Sequence, residues 1–148
     1  MALILASGSP RRRELMALIT PDYTVITSDV DEGKIAADTP AHLAQSLASA
    51  KARAVAKLHP ADTVLGFDTV VDCGGEVFGK PQDEADALRM LREDDRRAYV
   101  RTPEPYDKAG AYAIQGHAAL WCAGIEGCYY NIMGLPVHRA AQLLSEFA

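Results

Sequence analysis

The chain has 148 residues, 49% of them hydrophobic and 24% charged, with a formal net charge of −5. That length can bury one respectable core, as a single domain or as two small lobes sharing a cleft, and no apolar run approaches the roughly twenty residues of a membrane span. The acidic balance repels a nucleic-acid backbone and so disfavours a polymer ligand, while a local basic pocket for a small phosphorylated molecule stays open. The N-terminus runs straight into a strand pattern with no basic region, apolar stretch and cleavage site, so the expected location is the cytoplasm. Cys73, Cys122 and Cys128 form no CxxC pair and are expected to be reduced and structural.

Ala2 to Ala6 reads as a buried strand, ended by glycine and proline. A helix follows, with Ser9 as N-cap, Pro10 at its first position and Leu15, Met16 and Leu18 on its apolar face. "YTVIT" (Tyr23 to Thr27) alternates as a second strand and opens into the acidic "SDVDEGK". From Thr39, an N-cap with Pro40 behind it, an alanine-rich helix runs towards Leu58. Thr63 to Val71, "TVLGFDTVV", is an apolar strand carrying one aspartate, and "DCGGEVFGKP" turns back as a hairpin. A helix over Asp83 to Leu91, a charged junction, the loop "PEPYDKAGAYAIQG", the apolar "HAALWCAGI" and a last helix from Pro136 to Phe147 complete the chain. The alternation predicts an α/β fold, a mixed twisted sheet with flanking helices, in one domain over 1–148.

In "LASGSPRRRELM", small residues close a strand and lead into a helix N-terminus, whose free N–H groups and dipole favour an anion; Arg11 and Arg12 add forked donors suited to phosphate oxygens. The same residues also describe a capped helix with solvated arginines. Asp68 is more informative. A carboxylate within "VLGFDTVV" costs several kcal/mol if buried and unpaired, so it must lie at the strand's end or bind something. Asp29, Asp31 and Glu32 form a second acidic group behind a strand of the same sheet, where α/β proteins build their sites. Carboxylates facing a basic cradle suit Mg²⁺ or Mn²⁺ against a polyphosphate, although "SDVDEGK" equally describes a solvated loop. Lys51 and Lys80 gain weight only from their company. Gln115 offers donor and acceptor together, as recognition of a base edge requires, or closes a strand-end turn at Gly116. The histidines lack metal-ligand spacing.

The blocks "LILASGSPRRREL", "SDVDE", "LASAKARAVA", "GFDTVV", "FGKPQDEADALRML", "EPYDKAGAYAIQG" and "IEGCYYNIMGLP" stand in order and resemble the Maf family of nucleotide pyrophosphatases, from Met1 to about Leu91 and again from about Ala98. The resemblance implies a fold of the Maf and inosine triphosphatase type with two lobes around a cleft. It also implies metal-dependent hydrolysis of nucleoside triphosphates to monophosphate and pyrophosphate, clearing non-canonical or surplus nucleotides, by a homodimer in the cytoplasm. Carried over by residue, Asp68 matches the proton acceptor, and Ser7, Arg12, Lys51 and Lys80 match the phosphate-binding positions. Glu32 matches the acidic position that assists metal or water, so that Glu32 and Asp68 are the expected ligands of Mg²⁺ or Mn²⁺. Arg11, Thr69 and Gln115 occupy the substrate-selecting positions and resemble the branch acting on dTTP and UTP. An alternative is a degenerate relative that binds nucleotide without turnover and influences cell division or septum formation.

Two departures stand out. Phe67 replaces the small residue usual before the aspartate, implying a narrower cleft or a repacked strand. The family's strand-rich stretch after the "ALRML" helix is absent near 92–97, where "ALRMLREDDRRAYVRT" runs across directly. Either the deletion is genuine or the natural chain carries a stretch that this sequence omits. The second is favoured, since losing central strands exposes apolar sheet in an already small core.

Overall fold

The computed structural model describes residues 1–91 and 96–147. The chain forms two compact units, Met1–Thr69 with Cys128–Ala148, and Val70–Gly127. Among the described residues no helix is long and apolar enough to cross a membrane.

The first unit is built on a three-stranded parallel sheet in the order β2 (Thr24–Val25), β1 (Leu3–Leu5), β3 (Thr63–Leu65). Central β1 pairs Ile4 with Thr24 on one side and with Val64 on the other. Period-two alternation sends its residues to opposite faces. Leu5, with Leu3 beside it, packs against Leu15 and Met16 of α1 (Pro10–Ala17), Ala140 of α6 (Val137–Ser145) and Leu135. Ile4 and Ala6 pack on the other face with Val55 of α2 (Pro40–Ala56). Both faces are covered, which explains why β1 reads as continuously apolar. Each large side chain buried in this way contributes about 1.5–3 kcal/mol relative to exposure.

The expected helix starts are present. Ser9 accepts the Arg12 N–H at the start of α1, and Thr39 accepts the His42 N–H at the start of α2, each followed by proline at the first helical position. α5 (Tyr129–Met133) ends at Gly134.

In the second unit, β4 (Val71–Cys73) and β5 (Glu76–Phe78) form an antiparallel hairpin around a two-residue Gly74–Gly75 turn. α3 (Glu84–Leu91) and α4 (Arg97–Val100) bury Ala87, Leu91, Tyr99 and Val100 against Ala111 and Ala118. The stretch from Glu104 to Trp121 is a series of short 3₁₀ turns.

The α/β class is as expected, with parallel strands in one sheet and antiparallel strands in the other. The single strand expected over Thr63 to Val71 is divided: β3 stops at Leu65, and Val71 begins the hairpin. Its physical cause lies at Gly66. A Cβ there would stand 2.3 Å from the Ala48 carbonyl and 2.9 Å from Ala52 Cβ, so the chain runs hard against α2 and leaves the ladder. Phe67 then packs with the Leu5, Leu15 and Leu135 cluster. The junction expected to lack a segment, 92–97, falls on Arg92 to Asp95, outside the described residues, and on Arg96 and Arg97 at the entry to α4.

Candidate active site

In the first unit, three chain segments bring carboxylates and a lysine together. α2 presents Lys51 from its middle, the 3₁₀ turn Glu32–Lys34 presents Glu32, and the segment after β3 presents Asp68. Lys51 Nζ lies 2.5 Å from Asp68 Oδ1 and 3.0 Å from Glu32 Oε1. The Lys51 and Asp68 side chains are 12% and 9% exposed, against 56% for Glu32, so the ion pair is sheltered on one side and open on the other. Asp68 is thus both past the strand's end and paired, which removes the penalty of an isolated buried charge. Of the other acidic residues in "SDVDEGK", exposed Asp31 pairs with Lys34 at 2.9 Å, while Asp29 is exposed.

A second set of contacts meets this one through the peptide bond joining Asp68 to Thr69. Arg12, one turn into α1, points inward. Its Nε donates to the Gly134 carbonyl at 2.8 Å, and its two terminal nitrogens donate to Ser7 Oγ at 3.3 Å and Thr69 Oγ1 at 3.2 Å. A planar guanidinium meets three segments at once, a geometry that lysine cannot reproduce. Burial holds the Arg12 pKa below its ordinary value; Asp68 and Glu32 act the other way, and Arg11 reinforces the burial. Ser7 is buried, and its hydroxyl also accepts the Ser9 N–H at 3.3 Å. Arg11, next to Arg12, is half-buried.

Ser7, Arg11, Arg12, Glu32, Lys51, Asp68 and Thr69 all lie in the first unit. Lys80 and Gln115 belong to the second. There Lys80 is exposed and lines an open groove of about 610 Å³ with Gln82, Asp83 and Arg89, and Gln115 is exposed between buried Ile114 and half-buried Gly116.

Glu32 and Asp68 are hard oxygen donors that converge on one cation. That donor set fits a Mg²⁺ or Mn²⁺ ion, which completes its shell with water and substrate phosphates. No group of three or more His, Cys, Asp or Glu side chains converges among the described residues, so the chain's own share of such a shell is small.

Sequence reasoning missed two features. Gly134 supplies the carbonyl that holds Arg12, and nothing in "IMGLP" signals an acceptor 122 residues away. Glu104 gathers His117 and Tyr99 around its carboxylate. Glutamate thirteen residues before histidine is a spacing with no periodic meaning, and only the fold joins them.

The family description "Maf-like protein" matches residues 2–95 and 91–147. A dTTP/UTP pyrophosphatase of Symbiobacterium thermophilum is 42% identical over 181 aligned positions, covering 98% of this chain and 93% of the relative. Proteins of the same name from Moorella thermoacetica and Pelotomaculum thermopropionicum are 41% and 38% identical, each over 98% of this chain and over 94% and 96% of their own lengths. These alignments are longer than the 148 residues available here, so the relatives carry residues with no counterpart in this chain. The family match correspondingly comes in two pieces that meet at 91–95.

Proposed function

The chain belongs to the Maf family, and from that premise we propose that it is a nucleoside triphosphate pyrophosphatase, hydrolysing dTTP and UTP to the monophosphate and pyrophosphate. The observation that carries the proposal is Asp68, sheltered and paired with Lys51, which Glu32 also meets. A group that only bound phosphate would need the cations but has little use for a carboxylate among them.

In this mechanism Asp68 accepts the proton of the attacking water, a task within reach of a carboxylate held in place by Lys51. Lys51 and Arg12 offset charge on the phosphates, and Ser7 and Thr69, fastened by Arg12, line the same end of the site. Arg11 and Lys80 add further cations for the triphosphate, and Gln115 reads the base. Glu32 and Asp68 would hold a divalent cation, Mg²⁺ or Mn²⁺, whose chemistry is to polarise phosphate oxygens. Each preorganised charge contact is of the kind that lowers a barrier by about 2–4 kcal/mol. The likeness to the family also supports a homodimer and a place in the cytoplasm.

The second reading, a relative that binds nucleotide without turnover, is favoured by one observation: this chain is shorter in its middle than its relatives. Asp68→Asn separates the two. It is expected to abolish pyrophosphate release from dTTP with Mg²⁺ while nucleotide binding stays within about tenfold, or ~1.4 kcal/mol. Turnover that survives the substitution removes Asp68 as the base. A parent protein that binds dTTP but never releases pyrophosphate favours the second reading.

A further inference from the structure

Gln115 stands exposed at a turn whose two flanks are fastened by one hydrogen-bond network. On the upstream side, the Ala113 N–H donates to the Tyr99 hydroxyl at 3.2 Å, and the Gly116 N–H closes back on the Ala113 carbonyl at 3.0 Å. On the downstream side, the Glu104 carboxylate accepts the His117 N–H at 3.0 Å and the His117 Nδ1–H at 3.1 Å, and the Ala118 N–H and Tyr99 hydroxyl bond it as well. Glu104 is itself held: Lys108 Nζ donates to its carbonyl at 2.8 Å, and its side chain is only 20% exposed. The fit around Gly116 is tight. A Cβ there would lie 2.3 Å from Glu104 Oε1, so the carboxylate occupies the space a side chain would need.

We propose that Glu104 is a positioning residue for Gln115: its carboxylate locks the Gly116–Ala118 backbone and thereby sets the direction in which the Gln115 amide meets the nucleotide base. This rests on Gln115 being the base-reading residue. A glutamine discriminates by geometry, because an amide turned away leaves the correct base as poorly satisfied as the wrong one. An exposed side chain on a loop holds one direction only if its backbone is held. Ionisation of Glu104 is favoured in place. Burial alone would raise its pKa, yet hydrogen bonds from His117 and Tyr99 and from the Ala118 N–H bring it below the ordinary value. Burial and the nearby carboxylate keep Tyr99 protonated, so that its hydroxyl stays a donor to Glu104.

The test is a double-mutant cycle read as base selection, the ratio of dissociation constants for CTP and dTTP measured by calorimetry in the Asp68→Asn background. Binding keeps the outcome independent of whether the parent turns over. Gln115→Ala is expected to reduce the ratio by about tenfold. Glu104→Gln should reduce it by a similar factor, and adding Glu104→Gln to Gln115→Ala should reduce it no further. Tyr99→Phe, which removes one donor to Glu104 and keeps the carboxylate, should reduce it by a smaller factor and gives the readout if Glu104→Gln does not fold. A ratio that falls in Gln115→Ala but not in Glu104→Gln or Tyr99→Phe overturns the positioning role alone. Equal weakening for both nucleotides in Glu104→Gln does the same, marking the residue as structural. An unchanged ratio in Gln115→Ala overturns the base-reading role together with the proposal, while loss of pyrophosphate release from the parent enzyme would sink only the hydrolase reading.

Discussion

At Gly66 a single missing side chain lets Lys51 and Asp68 meet. Its Cα approaches α2 so closely that Lys51, one turn from Ala48, comes within reach of Asp68, two residues on. Gly66→Ala is therefore expected to cost about 1–3 kcal/mol, as overpacking does, and to lower pyrophosphate release as the strand end is pushed off the helix. An unchanged melting temperature with full turnover would contradict that account. Lys51 carries a different prediction. It holds the two carboxylates that would otherwise face a divalent ion, so ammonium and metal compete for the same oxygens. Lys51→Met is expected to tighten Mn²⁺ binding in the absence of nucleotide by about tenfold, ~1.4 kcal/mol, while lowering turnover. Weaker Mn²⁺ binding in that variant would mean that Lys51 organises the carboxylates and does not oppose the metal.

The elements divide by how locally they are specified. α1 and α2 begin where Ser9–Pro10 and Thr39–Pro40 say they should, because capping and the fixed φ of proline act within one turn. The 3₁₀ turn His117–Trp121 has no such local signature; its start is held by Glu104, from the turn Glu104–Asp107 two turns earlier. That difference predicts a pH dependence. A glutamate whose folded pKa lies below its ordinary 4.5 adds stability that is present above that pH and lost as the pH falls below it through the folded value. The stability gap between the parent and Glu104→Gln, read from thermal melts, should hold from about pH 7 to about pH 5 and shrink as the pH falls on towards about pH 3. A gap that stays constant over this range would show that the contribution of Glu104 does not depend on its charge.

Across the whole molecule, the feature that matters most is length. Relatives align over more positions than this chain has residues, and the family match breaks at 91–95. Within the second unit, Leu120 is 83% exposed, and Ile125, five residues on, is exposed as well. The decisive measurement is intact mass together with pyrophosphate release from dTTP and UTP, with Mg²⁺ and with EDTA. Metal-dependent release from a chain heavier than 148 residues would support a natural protein that retains the middle stretch; release from a chain of this length would show that stretch to be dispensable, and none at all would point to a deletion that disables the enzyme. The α/β class, the helix starts and the family were legible in the sequence, because alternation, capping and ordered blocks of residues are written in neighbouring positions. So were the candidates Ser7, Arg12, Glu32, Lys51 and Asp68, by their resemblance to a known pattern. Only the tertiary structure decided that Asp68 leaves the ladder at Gly66 to meet Lys51, that Arg12 turns inward to the Gly134 carbonyl, and that Glu104 holds the turn bearing Gln115. These contacts join residues from 13 to 122 positions apart, and such distances are set by how the sheet and helices pack, which no local pattern of residues encodes.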